Sequence, residues 1–120
     1  MPQQQVAFNV PVSPNTVTVR VIDTTSEVTL GIDDILRPRI KGHTKLFCPC
    51  YAFLVEHEPS GRKILFDLGV RKDWEQMPSS TVNAVRQYGW QVKVDKDVPE
   101  ILEEHGYARE QIEAVVWRYA

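Results

Sequence analysis

The chain has 120 residues, of which 42% are hydrophobic and 25% are charged, and its formal net charge is -2. These values are typical of one globular domain and argue against a disordered, collagen-like or coiled-coil chain. Because 14 basic residues face 16 acidic ones, no positive field exists for nucleic acid, and we expect no nucleic-acid partner. No run approaches the ~20 apolar residues of a membrane helix, so we expect no membrane partner.

The N-terminal residues and the cysteine content favour an intracellular location. No positive charge precedes the first apolar residues, which argues against a secretory signal. The two cysteines, Cys48 and Cys50, are only two residues apart, a spacing with poor geometry for a disulfide. We therefore predict a soluble protein of the reducing cytoplasm.

The first residues differ in composition from the rest of the chain. Residues 1–15 contain three prolines and few large apolar groups. We therefore predict a loose N-terminal arm over residues 1–15 and one domain over residues 16–120.

Periodicity predicts strands first, then two helices, then one last strand. Residues 16–23 alternate apolar and polar side chains, which is typical of a strand. Asp97 and Glu100 have the spacing of a capping box, which predicts the start of a helix that Gly106 ends. The other predicted elements are a weaker strand over residues 24–30, a long excursion over residues 31–45, strands over residues 50–57 and 63–67, a helix from residue 79 or 80 to residue 88, and a final strand over residues 112–117.

Two segments carry a resemblance to a known family. Residues 66–69 read Phe-Asp-Leu-Gly after an apolar hairpin, and residues 112–117 read Ile-Glu-Ala-Val-Val-Trp after a capped helix. Together with their flanking segments, they make residues 17–117 resemble the first half of a metallo-β-lactamase-fold hydrolase, with the lactonase-like proteins as the most similar subgroup.

The resemblance implies a fold class and a chemistry. The expected fold is mixed α/β, the N-terminal half of an αββα sandwich, with a mixed, mainly antiparallel sheet and helices on one face. In the family, metal ions, usually zinc, lie at one sheet edge and convert a bound water into hydroxide, which opens a cyclic ester or a similar acyl bond. A His-x-His-x-Asp-His run supplies ligands, and it follows the strand that residues 114–117 match.

The chain departs from the family at that run. Residues 118–120 read Arg-Tyr-Ala, and the three histidines lie on separate segments, at His43, His57 and His105. The resemblance therefore assigns no catalytic residue, metal ligand or cofactor to this chain. It matches only Asp67 and Gly69, and in the family that aspartate shapes the loop below the metal site. We predict a domain truncated before the motif and inactive by itself, with a small-molecule substrate only for the complete relative.

The residues themselves leave other interpretations open. Cys48 and Cys50 with His43 and His57 could form a tetrahedral metal site. Buried, inert thiols are the favoured interpretation, because free cysteines are commonly buried and the spacing is not that of a known zinc site. Asp67 could be catalytic, or it could accept backbone N–H bonds at a corner after a strand.

A half-sandwich also suggests an alternative function. It would expose a sheet face and a strand edge, and such surfaces bind partners or self-associate. The alternative is therefore a small self-associating or protein-interaction module without catalytic activity.

Overall fold

The computed structural model describes residues 7–117. Within these residues there are two helices and five strands. They are the strands β1 (Thr18–Gly31), β2 (Lys45–His57), β3 (Arg62–Phe66), β4 (Gln91–Val94) and β5 (Ile112–Val116), and the helices α1 (Ser79–Tyr88) and α2 (Val98–Glu104). Single 3₁₀ turns cover Ile32–Asp34, Trp74–Gln76 and Arg109–Gln111.

The five strands form one mixed sheet in the order β4-β1-β2-β3-β5. The first three strands form an antiparallel meander, and β4 pairs antiparallel with the second half of β1. Only β5 is parallel to its neighbour, β3, because two helices and β4 lie between them in the chain. The predicted fold class is confirmed: the sheet is mixed and mainly antiparallel, in an α/β arrangement.

The two faces of the sheet differ in what covers them. On one face, here called the helix face, side chains of β1, β2 and β3 pack against Val98 and Leu102 of α2. The strand residues of this core are Ile22, Ala52, Leu54 and Leu65. The other face, here called the open face, carries the alternate residues of the same strands, and it is apolar and exposed. Its residues include Val19, Val21, Tyr51, Phe66 and Val116.

β1 is one long strand where the periodicity predicted two. Its register with β2 shifts between Asp23 and Glu27, and within this bulge Thr25 has a φ of 58°. The bulge adds an unpaired stretch without ending the strand, so the polar residues there look like a gap in the sequence pattern. The structure therefore corrects the predicted boundary between two strands.

Two further strand predictions were incomplete. The strand that was predicted over residues 50–57 begins earlier, because β2 already starts at Lys45 and continues through Pro49. Pro49 pairs with Glu27 beside the bulge, a position where a strand tolerates proline. β4 was not predicted, because the four residues Gln91–Val94 are too short to show a period.

The helices agree with the predicted bounds but not with the predicted capping box. Asp97 is the N-cap residue of α2, yet its carboxylate makes no capping bond. Its Oδ1 instead accepts the N–H of Lys72 at 2.7 Å, which ties the loop after β3 to the start of α2. α1 ends at Gly89, whose φ of 65° suits glycine. Neither helix of residues 7–117 has the length and apolarity to cross a membrane.

Leu54 should contribute strongly to stability, since its side chain is 1% exposed at the centre of the core. We expect Leu54→Ala to lower the free energy of unfolding by about 2–5 kcal/mol, because it leaves a cavity between the sheet and α2. Urea denaturation followed by circular dichroism measures this loss. Lys41→Ala is the control, because Lys41 is exposed in a turn before β2 and its substitution should change stability by less than about 0.5 kcal/mol. Equal losses would contradict this description of the core.

Candidate functional site

A short loop over residues 67–70 leaves the sheet where β3 ends, and Asp67 organises it. The Oδ1 atom of Asp67 accepts the N–H groups of Leu68 at 2.7 Å and Gly69 at 3.2 Å. The N–H of Asp67 donates to the carbonyl of Val116 at 2.9 Å, which fastens the loop to the end of β5. With a φ of 68°, Asp67 adopts a left-handed conformation that these bonds offset. We call this segment the Asp67 loop.

The bulge of β1 holds the Asp67 loop from the other side. Thr24 and Ser26 are buried, and their hydroxyl oxygens lie 2.5 Å apart. Thr24 Oγ1 donates its proton to the carbonyl of Cys50 at 2.6 Å, so Ser26 is the donor within the hydroxyl pair. Ser26 Oγ in turn accepts the N–H of Val70 at 3.3 Å. One continuous chain of hydrogen bonds therefore runs from the Asp67 loop through β1 to β2.

Gly69 packs directly against this hydroxyl pair. A Cβ atom at Gly69 would lie 2.7 Å from Thr24 Oγ1 and 2.9 Å from Thr24 Cβ. The φ of Gly69 is +64°, so both the backbone conformation and the available space require glycine. The two residues that matched the family, Asp67 and Gly69, thus lie in one tightly held loop.

The structure separates the residues of the alternative metal site. Cys48 and Cys50 are partly buried free thiols in β2. His57 ends the same strand, about 23 Å beyond Cys50 at the usual rise per residue, and its Nδ1 lies 2.6 Å from Ser60 Oγ. His43 lies in an exposed turn before β2. Within residues 7–117, no three His, Cys, Asp or Glu side chains form a group that could hold a metal ion. The described residues therefore do not fit the zinc that the resemblance implies.

The environment of Cys50 disfavours its thiolate. Burial is the largest effect, and it raises the pKa of the Cys50 thiol above its ordinary value. The nearby Ser26 hydroxyl lowers this pKa, while the charges of Cys48 and Asp67 raise it further. Because the thiolate is the reactive and metal-binding form of cysteine, burial makes Cys50 a less favourable nucleophile or metal ligand.

A cavity of about 480 Å³ opens beside the Asp67 loop on the helix face. Leu68, Gly69 and Val70 of the loop form one wall, and much of the remaining lining is apolar. Three tryptophans contribute to it: Trp74, Trp90 and Trp117. A concave apolar surface beside a rigid loop is suited to a small organic molecule.

Sequence reasoning found the Asp67 loop through its motif but missed the residues that hold it. Thr24 and Ser26 belong to a polar run that interrupts the alternation of β1, and the sequence showed it only as a weaker strand. That interruption was the one available signal, because a buried hydroxyl pair has no characteristic spacing relative to a loop more than 40 residues away.

The fold and the loop define a class of protein: half of a layered α/β sandwich with a fixed loop at one sheet edge. The chain is 39% identical over 115 residues to "Gamma-lactamase FDB1" of Fusarium pseudograminearum (strain CS3096), a match that covers 92% of this chain and 28% of that protein. It is 37% identical over 122 residues to "Metallo-hydrolase mfmC" of Annulohypoxylon moriforme, covering 98% of this chain and 32% of that protein.

A third relative has a different name. The chain is 35% identical over 117 residues to "Cytochrome P450 monooxygenase mpaDE" of Penicillium roqueforti (strain FM164), covering 94% of this chain and 13% of that protein. No protein-family model and no solved structure matches the chain. The relatives named gamma-lactamase and metallo-hydrolase bear out the predicted resemblance to the metallo-β-lactamase-fold hydrolases. It spans between 13% and 32% of the length of these three relatives.

Gly69→Ala tests the contact between the Asp67 loop and Thr24. We expect it to lower the free energy of unfolding by about 2–4 kcal/mol, because the methyl group adds a clash to the cost of a positive φ. Gly61→Ala is a matched control: its φ is +70°, but nothing lies within 4 Å of the added Cβ. The control should cost only about 1–2 kcal/mol. Chemical denaturation measures both, and equal losses would mean that the contact with Thr24 contributes nothing.

Proposed function

We propose that the chain is the N-terminal segment of a metal-dependent hydrolase that opens a small cyclic ester or amide. The similarity to a gamma-lactamase and a metallo-hydrolase over 92% and 98% of this chain supports the proposal most directly. The chain would contribute one sheet of the sandwich and the Asp67 loop. The metal ligands would come from residues beyond those of this chain.

In this proposal the Asp67 loop has a positioning role. In the family, the histidine run follows the strand that β5 matches, and the N–H of Asp67 donates to Val116 at the end of that strand. The loop is therefore fastened where such a run would begin. Because Asp67 Oδ1 accepts two N–H bonds of the loop, the carboxylate supports the loop conformation.

The cavity beside the loop favours a small, mainly apolar substrate, and Arg71 also contributes to its lining. Its three tryptophans and its aliphatic lining offer apolar contacts to a ring of modest size. The name of the Fusarium relative describes a γ-lactam substrate for that protein. A γ-lactam, or the corresponding γ-lactone, is therefore the substrate class to test.

The isolated chain should be inactive in that test. We expect no hydrolysis of a γ-lactam or γ-lactone, with or without added Zn²⁺, because activating water on zinc needs several converging ligands. Isothermal titration with zinc chloride should likewise show no stoichiometric uptake. The Fusarium relative serves as the positive control for the assay, which follows ring opening by mass spectrometry. Turnover by the 120-residue chain, or a tight one-to-one zinc complex, would contradict the proposal.

A second candidate function is self-association through the open face. Tyr51, Phe66 and Val116 are 47%, 40% and 46% exposed there. Phe66 pairs with Val116 on β5 and with Phe53 on β2, and Tyr51 lies two residues before Phe53 on the same face. An apolar surface of this kind on one sheet favours contact with another apolar surface. A second copy of the chain offers the same face.

Light scattering after size-exclusion chromatography tests self-association. We expect the mass to rise with concentration, and we expect Phe66→Glu to reduce this rise because a charge would be placed in the contact. Ile40→Glu is the control, since Ile40 is 46% exposed but lies outside the sheet. A monomer at every concentration, or an equal effect of both substitutions, would contradict this function.

A further inference from the structure

The outer edge of β1 is only partly paired. β4 pairs with residues Ser26–Thr29, whereas Thr18–Asp23 pair with β2 alone among residues 7–117. The first half of β1 is therefore a free sheet edge of six residues. Such an edge accepts a further strand through its backbone groups.

Hydrogen bonds elsewhere in the sheet determine which backbone groups this edge offers. The N–H of Asp67 points to β5, where it donates to Val116. Because a trans peptide points its N–H and C=O in opposite directions, the carbonyl of Phe66 points to β2, where Phe66 pairs with Phe53. Peptide groups alternate along a strand, so Leu54, the next residue of β2, points to β1.

The same alternation shows in which direction the backbone N–H and C=O groups of β1 point. Leu54 pairs with Arg20, so Arg20 directs its N–H and C=O to β2. Its neighbours Val19 and Val21 therefore direct theirs outward, to the free edge. Their side chains lie on the open face and are 54% and 65% exposed.

The arm that precedes β1 has the pattern of a strand without a partner. Between residues 7 and 12, every second side chain is apolar: Phe8, Val10 and Val12. These side chains are 86%, 79% and 102% exposed. The backbone of this stretch makes one hydrogen bond of its own, from the N–H of Val10 to the carbonyl of Phe8.

We propose that residues 7–12 of the arm add to the free edge of β1 as an antiparallel strand of the same chain. Residues 13–16, Ser-Pro-Asn-Thr, would form the connecting loop, and four residues is a common length for a hairpin loop. The N–H of Asn15 already donates to Ser13 Oγ at 3.1 Å within this segment. The short loop favours the arm of the same chain over that of a second copy, because closing it costs little entropy.

This loop length sets a register in which exposed apolar residues meet. The register joins three pairs: Val12 with Val17, Val10 with Val19, and Phe8 with Val21. All of these side chains would lie on the open face, where cross-strand apolar pairs stabilise a sheet. The bond between Val10 and Phe8 would be exchanged for two bonds between Val10 and Val19.

The position of Pro11 agrees with the same register. When Val10 exchanges hydrogen bonds with Val19, Pro11 lies opposite Thr18 in a pair without hydrogen bonds. The missing N–H of Pro11 then points away from β1 and costs no bond. A register shifted by one residue would place Pro11 in a bonded position and turn the apolar side chains of the arm to the other face.

The added strand would also close a cavity on the helix face. A space of about 390 Å³ lies between the free edge and α2, with Ile101 and His105 among its walls. In the proposed register the small side chains of Ala7 and Asn9 face this side. Docking of the arm would thus cover both the edge and the cavity.

A disulfide cross-link tests the register. Asn9→Cys with Arg20→Cys places two cysteines in a pair without hydrogen bonds, where opposite side chains approach most closely. With Cys48→Ser and Cys50→Ser in the same chain, we expect an intramolecular disulfide, detected by mass spectrometry after proteolysis. The control pair, Asn9→Cys with Val21→Cys, lies on opposite faces and should lose the cross-link. A disulfide-linked dimer, or equal cross-linking of both pairs, would overturn the proposal.

Amide hydrogen exchange of the full chain gives a second measurement. Val10→Pro removes an N–H that points to β1, and we expect exchange at Val19 and Val21 to become faster by on the order of ten-fold. Asn9→Pro removes an N–H that points away and should leave these rates unchanged. Unchanged rates in both variants would show that the arm does not pair with β1.

Discussion

A chain of hydrogen bonds between four polar groups connects the Asp67 loop to β1 and β2. The N–H of Val70 donates to Ser26, Ser26 donates to Thr24, and Thr24 donates to the carbonyl of Cys50. Each hydroxyl is both donor and acceptor, so removing either one leaves a buried polar group without a partner. Within residues 7–117 every buried side-chain polar atom has a partner. Gly69 fits against this chain because it has no side chain. These contacts, together with the packing of Leu68 against the apolar core, hold the Asp67 loop in place.

The topology explains why the Asp67 loop lies beside the end of β5. β3 and β5 are parallel, and the helices and β4 form the crossover between them. The ends of both strands therefore meet at the same edge of the sheet, where Asp67 bonds to Val116. The tryptophan-lined cavity opens at this place. The similarity to the relatives named gamma-lactamase and metallo-hydrolase covers 92% and 98% of this chain.

Local patterns in the sequence predicted local features well and long-range ones poorly. The alternation of β1 and the Gly89 end of α1 were predictable, because they follow from residues next to each other. The capping box at Asp97 failed because a backbone N–H 25 residues away competes for the same carboxylate. The spacing of Cys48, Cys50 and His57 in the sequence was compatible with a metal site. The structure shows that all three residues lie on the extended strand β2, which separates His57 from the two cysteines. The sequence did not indicate the bulge, because threonine and serine, here Thr24 and Ser26, are more often exposed surface residues.

The bulge also divides β1 into two halves with separate neighbours on its outer side. From Ser26 to Thr29 that side pairs with β4, whereas Thr18–Asp23 pair with β2 alone among residues 7–117. Because the bulge separates the two halves, the register of the first half is independent of the register that β4 sets in the second half. A change in the N-terminal arm would therefore act on the first half of the strand and leave the pairing of the second half with β4 as it is.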